Sequence, residues 1–229
     1  SGSEATRHVS NLVLLDSNFS SMPSVVAEGR RVVNNVQNSA SLFLMKTIFT
    51  ILTSILCLIT KEVYPFTTLH MSLLETFVIG IPSFFLALQP NDDQIKGRFL
   101  TNLMSKSLPG AILFLINLVA CYVFARLVPS VPDYTIMASL AITFTGLLVL
   151  FRLCQPFNVY RAIMFVGMLL LTSATLYFVP LSFFYGEFAP DYLSLEQVLF
   201  IIVLVQASYP IYAWVTRICD RLISTKRED

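Results

Sequence analysis

Ala40-Ser-Leu-Phe-Leu-Met-Lys-Thr-Ile-Phe-Thr-Ile-Leu-Thr-Ser-Ile-Leu-Cys-Leu-Ile-Thr60 is a run of 21 residues with one charge, Lys46. A bilayer core about 30 Å thick is crossed by roughly 20 mostly apolar residues in a helix, and this stretch supplies them. Five further segments of the same character follow, at about 66–88, 108–128, 134–151, 162–181 and 195–216. The Pro, Asn, Asp, Lys and Arg fall between them, as in Gln89-Pro-Asn-Asp-Asp93 and Gln155-Pro-Phe-Asn158. Composition agrees, with 55% of the 229 residues hydrophobic and 13% charged, against about 25% charged in a soluble domain. A net charge of +1 gives no general attraction to polyanions, so no nucleic-acid partner is expected. Cysteines at 57, 121, 154 and 219 show no paired spacing, which argues against a disulfide framework or a zinc site. The chain reads as an all-α polytopic membrane protein of six transmembrane helices, with the lipid bilayer as its solvent.

Upstream of the first span, Val25, Val26, Gly29, Val32, Val33 and Val36 recur at helical spacing and meet no breaker before the membrane. A long cytoplasmic stalk helix from about residue 22, capped by Ser20 or Ser21, is therefore expected to continue into the bilayer. Residues 12–15, Leu-Val-Leu-Leu, read as one buried strand followed by turn chemistry at Asp16-Ser-Asn-Phe-Ser-Ser21. A lone strand needs partners. Residues 1–21 are thus expected to be a short remnant of an α/β domain, with 22–229 as stalk and spans. The absence of an initiator Met fits a fragment.

Charge orients the spans. Arg7, Arg30, Arg31, Lys96, Arg98, Lys106, Arg152, Arg161, Arg217, Arg221, Lys226 and Arg227 fall on one side, against Lys61 and Arg126 on the other. By the positive-inside rule, twelve against two places both termini in the cytoplasm. Asn18-Phe-Ser20 matches the glycosylation pattern but would then lie on the wrong side.

Ionisable groups inside hydrocarbon are costly enough to need a reason. Lys46 lies about 12 Å into the first span from the cytoplasm, and Glu75 about 14 Å into the second from outside, or about 16 Å from the cytoplasmic face. Their heights agree within a turn, and a short loop joins the spans, so an ion pair between them is geometrically open. Pro82, in Gly80-Ile-Pro-Ser83, removes a backbone donor and frees carbonyls near 78–79. Such carbonyls in a membrane helix are ligands for cations when they line a cavity. The weaker polar points, Thr47, Thr50, Thr53, Asn117, Thr143, Thr145, Gln206 and Ser208, read mainly as interhelical packing groups. His8 and His70 are single, and no P-loop or nucleophile–base pair occurs, so no catalytic residue is assigned.

Ser10-Asn-Leu-Val-Leu-Leu-Asp-Ser-Asn-Phe19, Glu28-Gly-Arg-Arg-Val-Val-Asn-Asn35 and Gly80-Ile-Pro-Ser-Phe-Phe-Leu-Ala-Leu-Gln-Pro-Asn91 together resemble the carboxy-terminal part of P-type cation-transporting ATPases. The resemblance implies that the first block ends the phosphorylation domain, the second opens the stalk of the fifth membrane helix, and the third lies in the sixth. It further implies that Thr47, Thr50, Glu75 and Ile79 fall on ligand positions of sarcoplasmic-reticulum type calcium pumps. Ile79 has no ligating side chain, so the pattern is more similar to bacterial pumps that move calcium or another inorganic cation through one site, with Glu75 as its metal ligand. Lys46 falls one position before the first ligand, where proton–potassium pumps carry a lysine as a built-in cation. The cation path implied is Glu75, Lys46, Thr47, Thr50, Ile79 and Pro82.

The resemblance also implies ATP and Mg²⁺ as cofactors of the intact pump. They would be bound by actuator, nucleotide-binding and phosphorylation domains in a missing amino-terminal part, because Asp-Lys-Thr-Gly, Thr-Gly-Asp and Gly-Asp-Gly-x-Asn-Asp do not occur in this chain. The location implied is a bacterial plasma membrane. Two other readings of the residues stay open: a self-contained six-span cation carrier or channel gated by Lys46 and Glu75, and a membrane interaction subunit whose buried charges fix helix pairing.

Overall fold

Between Pro23, which sits at the start of a helix where its missing N–H costs nothing, and Thr60 no residue breaks helical hydrogen bonding. Helix α2 (Met22–Thr60) accordingly runs 39 residues without interruption, about 58 Å. That is nearly twice the thickness of a bilayer core, so no bilayer encloses the whole helix, and its amino-terminal half is the expected stalk. The computed structural model describes residues 4–13, 18–89, 91, 94, 97–128, 131, 133–186, 189 and 193–225.

Within them the chain is all-helical. Helix α1 (Glu4–Val9) precedes α2, and the second apolar segment is built from α3 (Ser72–Leu74), a π turn (Glu75–Gly80) and α4 (Ile81–Leu88). Helices α5 (Phe99–Leu127), α6 (Thr135–Leu153), α7 (Val159–Phe178), α8 (Leu181–Tyr185) and α9 (Leu195–Thr225) follow. The expected α/β remnant is not seen. Residues 4–9 form an exposed helix, residues 12 and 13 carry no strand, and residues 14 and 15 lie outside the described residues. A four-residue apolar run is a strand only when a sheet pairs with it, and the described residues contain none. The stalk's start also differs, since neither Ser20 nor Ser21 caps it. Asn18 accepts instead from Ser20 N at 3.1 Å, capping a 3₁₀ turn (Phe19–Ser21) that leads into α2.

Among the described residues, five helices are long and apolar enough to cross a membrane: α2 with its leading turn (42 residues), α5, α6, α7 and α9. The protein is an integral, multi-pass membrane protein. The expected span at 66–88 is shorter, because residues 66–71 form no helix and the apolar helix covers only Ser72–Leu88. Seventeen residues rise about 26 Å, close to the thickness of the hydrocarbon core, so five long apolar helices and this shorter one stand where six full-length spans were expected. At the far end of α2, Lys61 closes the helix in the left-handed region (φ 59°), its N–H donating to the Cys57 carbonyl.

Helix α6 is the hub. Of its most apolar stretch 72% is buried, against 22% for α2, α7 and α9. A helix apolar all round must be surrounded, whereas the other three turn one face outward. Two close approaches set the packing, one between α2 and α5 and one at the hub. Gly110 of α5 admits the Met45 side chain, and Gly146 of α6 faces the π turn, where a Cβ would stand 2.8 Å from Leu74 Cδ1 and 3.1 Å from Val78 Cγ1. Gly146→Val is therefore expected to overpack this contact, at a cost of about 1–3 kcal/mol. A thermal melt of the detergent-solubilised chain reads it, and an unchanged midpoint would show the contact to be slack.

Candidate cation site

Lys46 comes from the membrane half of α2, and Glu75 opens the π turn. The structure joins them: Lys46 Nζ donates to Glu75 Oε1 in an ion pair. The two side chains are 35% and 36% exposed, so the pair lies on an open face of the bundle, not sealed in its core. Thr50 and Thr53, four and seven residues after Lys46, share its face of α2. Thr50 is half-buried, whereas Thr53 is fully buried with a hydroxyl that has no hydrogen-bond partner. Thr47 lies about 100° round the helix; it is exposed and donates back to the Phe43 carbonyl at 3.0 Å. Ile79 is buried in the apolar core, and Pro82 is buried in the first turn of α4.

The π turn accounts for how the backbone at Glu75 differs from an ordinary helix. Ile81 N–H bonds to the Thr76 carbonyl, five residues back. One extra residue in a turn widens it and loosens its carbonyls, and such turns recur at functional sites. Gly80 fits this turn because a Cβ there would stand 3.0 Å from the Glu75 carbonyl oxygen. Pro82 offers no N–H, so in this wide register the carbonyl without its donor is that of Phe77, and in α register that of Val78. The freed carbonyl is thus at 77 or 78, one residue nearer Glu75 than the expected 78–79.

The stalk is tied to the far end of the same segment. Asn35 Nδ2 donates to the Ala87 carbonyl at 3.0 Å and to the Gln89 carbonyl at 2.5 Å. Ser39 Oγ donates to the Ser83 carbonyl at 2.8 Å, and Asn34 Nδ2 to the Asn91 carbonyl at 3.4 Å. The Ala87, Gln89 and Asn91 carbonyls lie at and beyond the C-terminal end of α4, which an isolated helix leaves without partners, whereas Ser83 is in its first turn. Gln89 is buried and accepts from Arg161 Nε at 2.9 Å, extending the connection to α7. Polarity inside membrane segments does not point to this latch, because its side chains belong to the stalk. The only sequence signal for it is that Asn34-Asn35 and Gln89–Asn91 close two of the three blocks that carry the resemblance.

A second polar group is internal to the bundle. Asn117 Nδ2 donates to Thr145 Oγ1 at 2.7 Å, and Ser208 Oγ lies 3.2 Å from Asn117 Oδ1. All three are fully buried, and their mutual bonding makes them glue between α5, α6 and α9. At one end of the hub, Ser139 and the Tyr185 hydroxyl are hydrogen-bonded. Burial pushes the Tyr185 phenol up to about 12, which keeps it a protonated donor.

The chain is 32% identical over 179 residues to the probable cation-transporting ATPase exp7 of Streptococcus pneumoniae, covering 72% of this chain and 22% of that protein. The chain is homologous to P-type cation-transporting ATPases. Calcium-transporting ATPase CtpE of Mycolicibacterium smegmatis is 38% identical over 122 residues, 49% of this chain and 15% of that protein. The potassium-transporting ATPase alpha chain 2 of the rabbit is 29% identical over 97 residues, 42% of this chain and 9% of that protein. This chain therefore spans less than a quarter of the length of these P-type ATPases. No family model matches it.

Proposed function

We propose that this chain is the cation-translocating membrane region of an ATP-driven pump, with residues 1–21 ending its phosphorylation domain and 22–229 forming stalk and membrane helices. The ion pair of Lys46 and Glu75 at the mouth of a π turn is the observation that carries this reading. A hard cation takes oxygen ligands, and a site at membrane depth needs negative charge to offset the ion's desolvation. Glu75 supplies the charge, the loosened carbonyls of the π turn and the Thr50 hydroxyl supply neutral oxygens, and Lys46 is the resident cation that an arriving ion displaces. Release returns the ammonium to Glu75, so the carboxylate is never left unpaired in the membrane. Ile79 and Thr47 serve as wall and packing, with no ligand role.

The cargo proposed is calcium, the ion named for the CtpE relative. The stalk transmits movement from actuator, nucleotide-binding and phosphorylation domains in the remainder of the pump, where ATP and Mg²⁺ bind. No step performed by this chain runs through them. The membrane is proposed to be a bacterial plasma membrane, with both termini cytoplasmic by the distribution of Lys and Arg.

Lys46→Met in the intact pump tests the exchange. Removing the cation with which the ion competes for Glu75 leaves the binding oxygens in place, so half-saturation by the activating cation is expected to be no higher than in the wild type while maximal turnover falls. The measurement is ATPase activity stimulated by calcium, magnesium, manganese or potassium. A wild-type pump stimulated by none of the four would sink the pump reading, and a Lys46→Met pump with unchanged turnover would remove Lys46 from the cycle.

A further inference from the structure

Where the stalk half of α2 meets α5, α6, the α6–α7 connection and α9, a cavity of about 410 Å³ is lined by three cationic side chains from three helices. They are Lys106 of α5, Arg152 in the last turn of α6 and Arg161 near the start of α7. None of its described lining residues is acidic. The Asp220 carboxylate, exposed on α9, accepts from the lining residue Ser105 at 2.5 Å.

The partners these cations have are neutral. Arg161 is 9% exposed, and it donates to Gln89 Oε1 and to the carbonyls of Cys154 (3.4 Å) and Pro156 (3.0 Å). Lys106 Nζ donates to Asn38 Oδ1 at 2.7 Å. Arg152 has a buried Nε with no hydrogen-bond partner, and its guanidinium lies 4.4 Å from the centre of the Tyr209 ring. Neutral acceptors fix these groups in place, and among the described residues no carboxylate forms an ion pair with any of the three. Bringing three like charges to one partly desolvated cavity is costly unless an anion joins them.

We propose that this cavity binds the phosphate group of an anionic ligand. Two guanidinium planes and an ammonium present several donors from different directions, which suits a tetrahedral anion with several oxygens better than a single carboxylate. Arg152 lies where an apolar membrane helix ends, the level at which lipid phosphates lie, and basic pockets between membrane helices at that level take lipid headgroups. Leu42, Met45 and Val149 complete the lining with an apolar wall, so the cavity has room and surface for a headgroup and the start of its acyl chain. Free inorganic phosphate carries the same anionic chemistry. The cavity contains neither Lys46 nor Glu75, and its occupancy is independent of the cation exchange.

The test uses the purified full chain in detergent. Native mass spectrometry compares retention of phosphatidylglycerol with that of phosphatidylcholine, and calorimetry measures binding of inorganic phosphate. Phosphatidylglycerol is expected to be held about tenfold more tightly than phosphatidylcholine. That preference is expected to vanish in Lys106→Gln/Arg152→Gln and to persist in Arg126→Gln, whose guanidinium pairs with Glu62 away from the cavity. Inorganic phosphate bound by the wild type and lost in the double variant, with no lipid preference, would identify free phosphate as the source. A wild type with neither lipid preference nor phosphate binding overturns the site, and this comparison needs no variant to fold. A folded double variant that keeps both properties overturns it equally.

Discussion

Glu75→Gln in the intact pump raises the half-saturating concentration of the activating cation at least tenfold, a loss of about 1.4 kcal/mol in binding. The substitution keeps the shape and one carbonyl oxygen of the side chain while removing the one negative charge of the site. Neutral oxygens from the π turn and Thr50 remain, but they cannot offset the desolvation of a divalent ion at this depth. Folding is expected to survive, since a neutral amide is cheaper in lipid than a carboxylate. Lys46 then faces an amide, and its ammonium becomes the unpaired group. Glu75→Gln/Lys46→Met, which removes that unpaired ammonium as well, is expected to fold and not to regain cation affinity. Stimulated ATPase activity across calcium, magnesium, manganese and potassium measures it. An unchanged half-saturation for the activating ion would leave Glu75 as a packing residue whose ion pair only fixes α2 against the π turn.

The two charges of this site were legible because lipid makes them conspicuous. In a run such as 40–60, a single lysine cannot be incidental, and matching depths put Lys46 and Glu75 within reach of one another. The apolar runs located the helices for a related reason: a lipid-exposed backbone must satisfy its own hydrogen bonds. Hydropathy, however, reports side chains and not backbone. It counted 66–71 into a span although those residues form no helix, and it passed over the π turn. That insertion depends on Gly80 lying against the Glu75 carbonyl and on Gly146 admitting Leu74 and Val78, contacts that exist only once the helices meet. Thr47 shows the limit of reasoning by resemblance. One position along a helix is 100° of rotation, and here it turns the hydroxyl onto its own backbone, away from Glu75. The run at 12–15 shows the same limit for a strand read without its partners.

Asn35→Leu is expected to separate hydrolysis from transport. Asn35 is buried, and its amide serves two carbonyls at the end of α4 and beyond, those of Ala87 and Gln89. Leucine fills a similar volume but donates nothing, so both carbonyls lose their partner, at about 1–3 kcal/mol for each that stays buried. The stalk keeps its length and helicity, since Leu is a good helix former. What weakens is the joint through which a movement of the stalk half of α2 would reach the π turn and Glu75. The ratio of cation transported to ATP hydrolysed should accordingly fall several-fold, with cation half-saturation close to that of the wild type because the binding oxygens are untouched. Ser39→Ala, which removes the single bond to the Ser83 carbonyl, should lower the ratio less. The measurement pairs uptake into inverted vesicles with phosphate release from the same preparation, alongside a thermal melt of each variant. A lowered melting midpoint with an unchanged transport ratio would make Asn35 a cap for the α4 segment and would place the coupling between stalk and site elsewhere along α2.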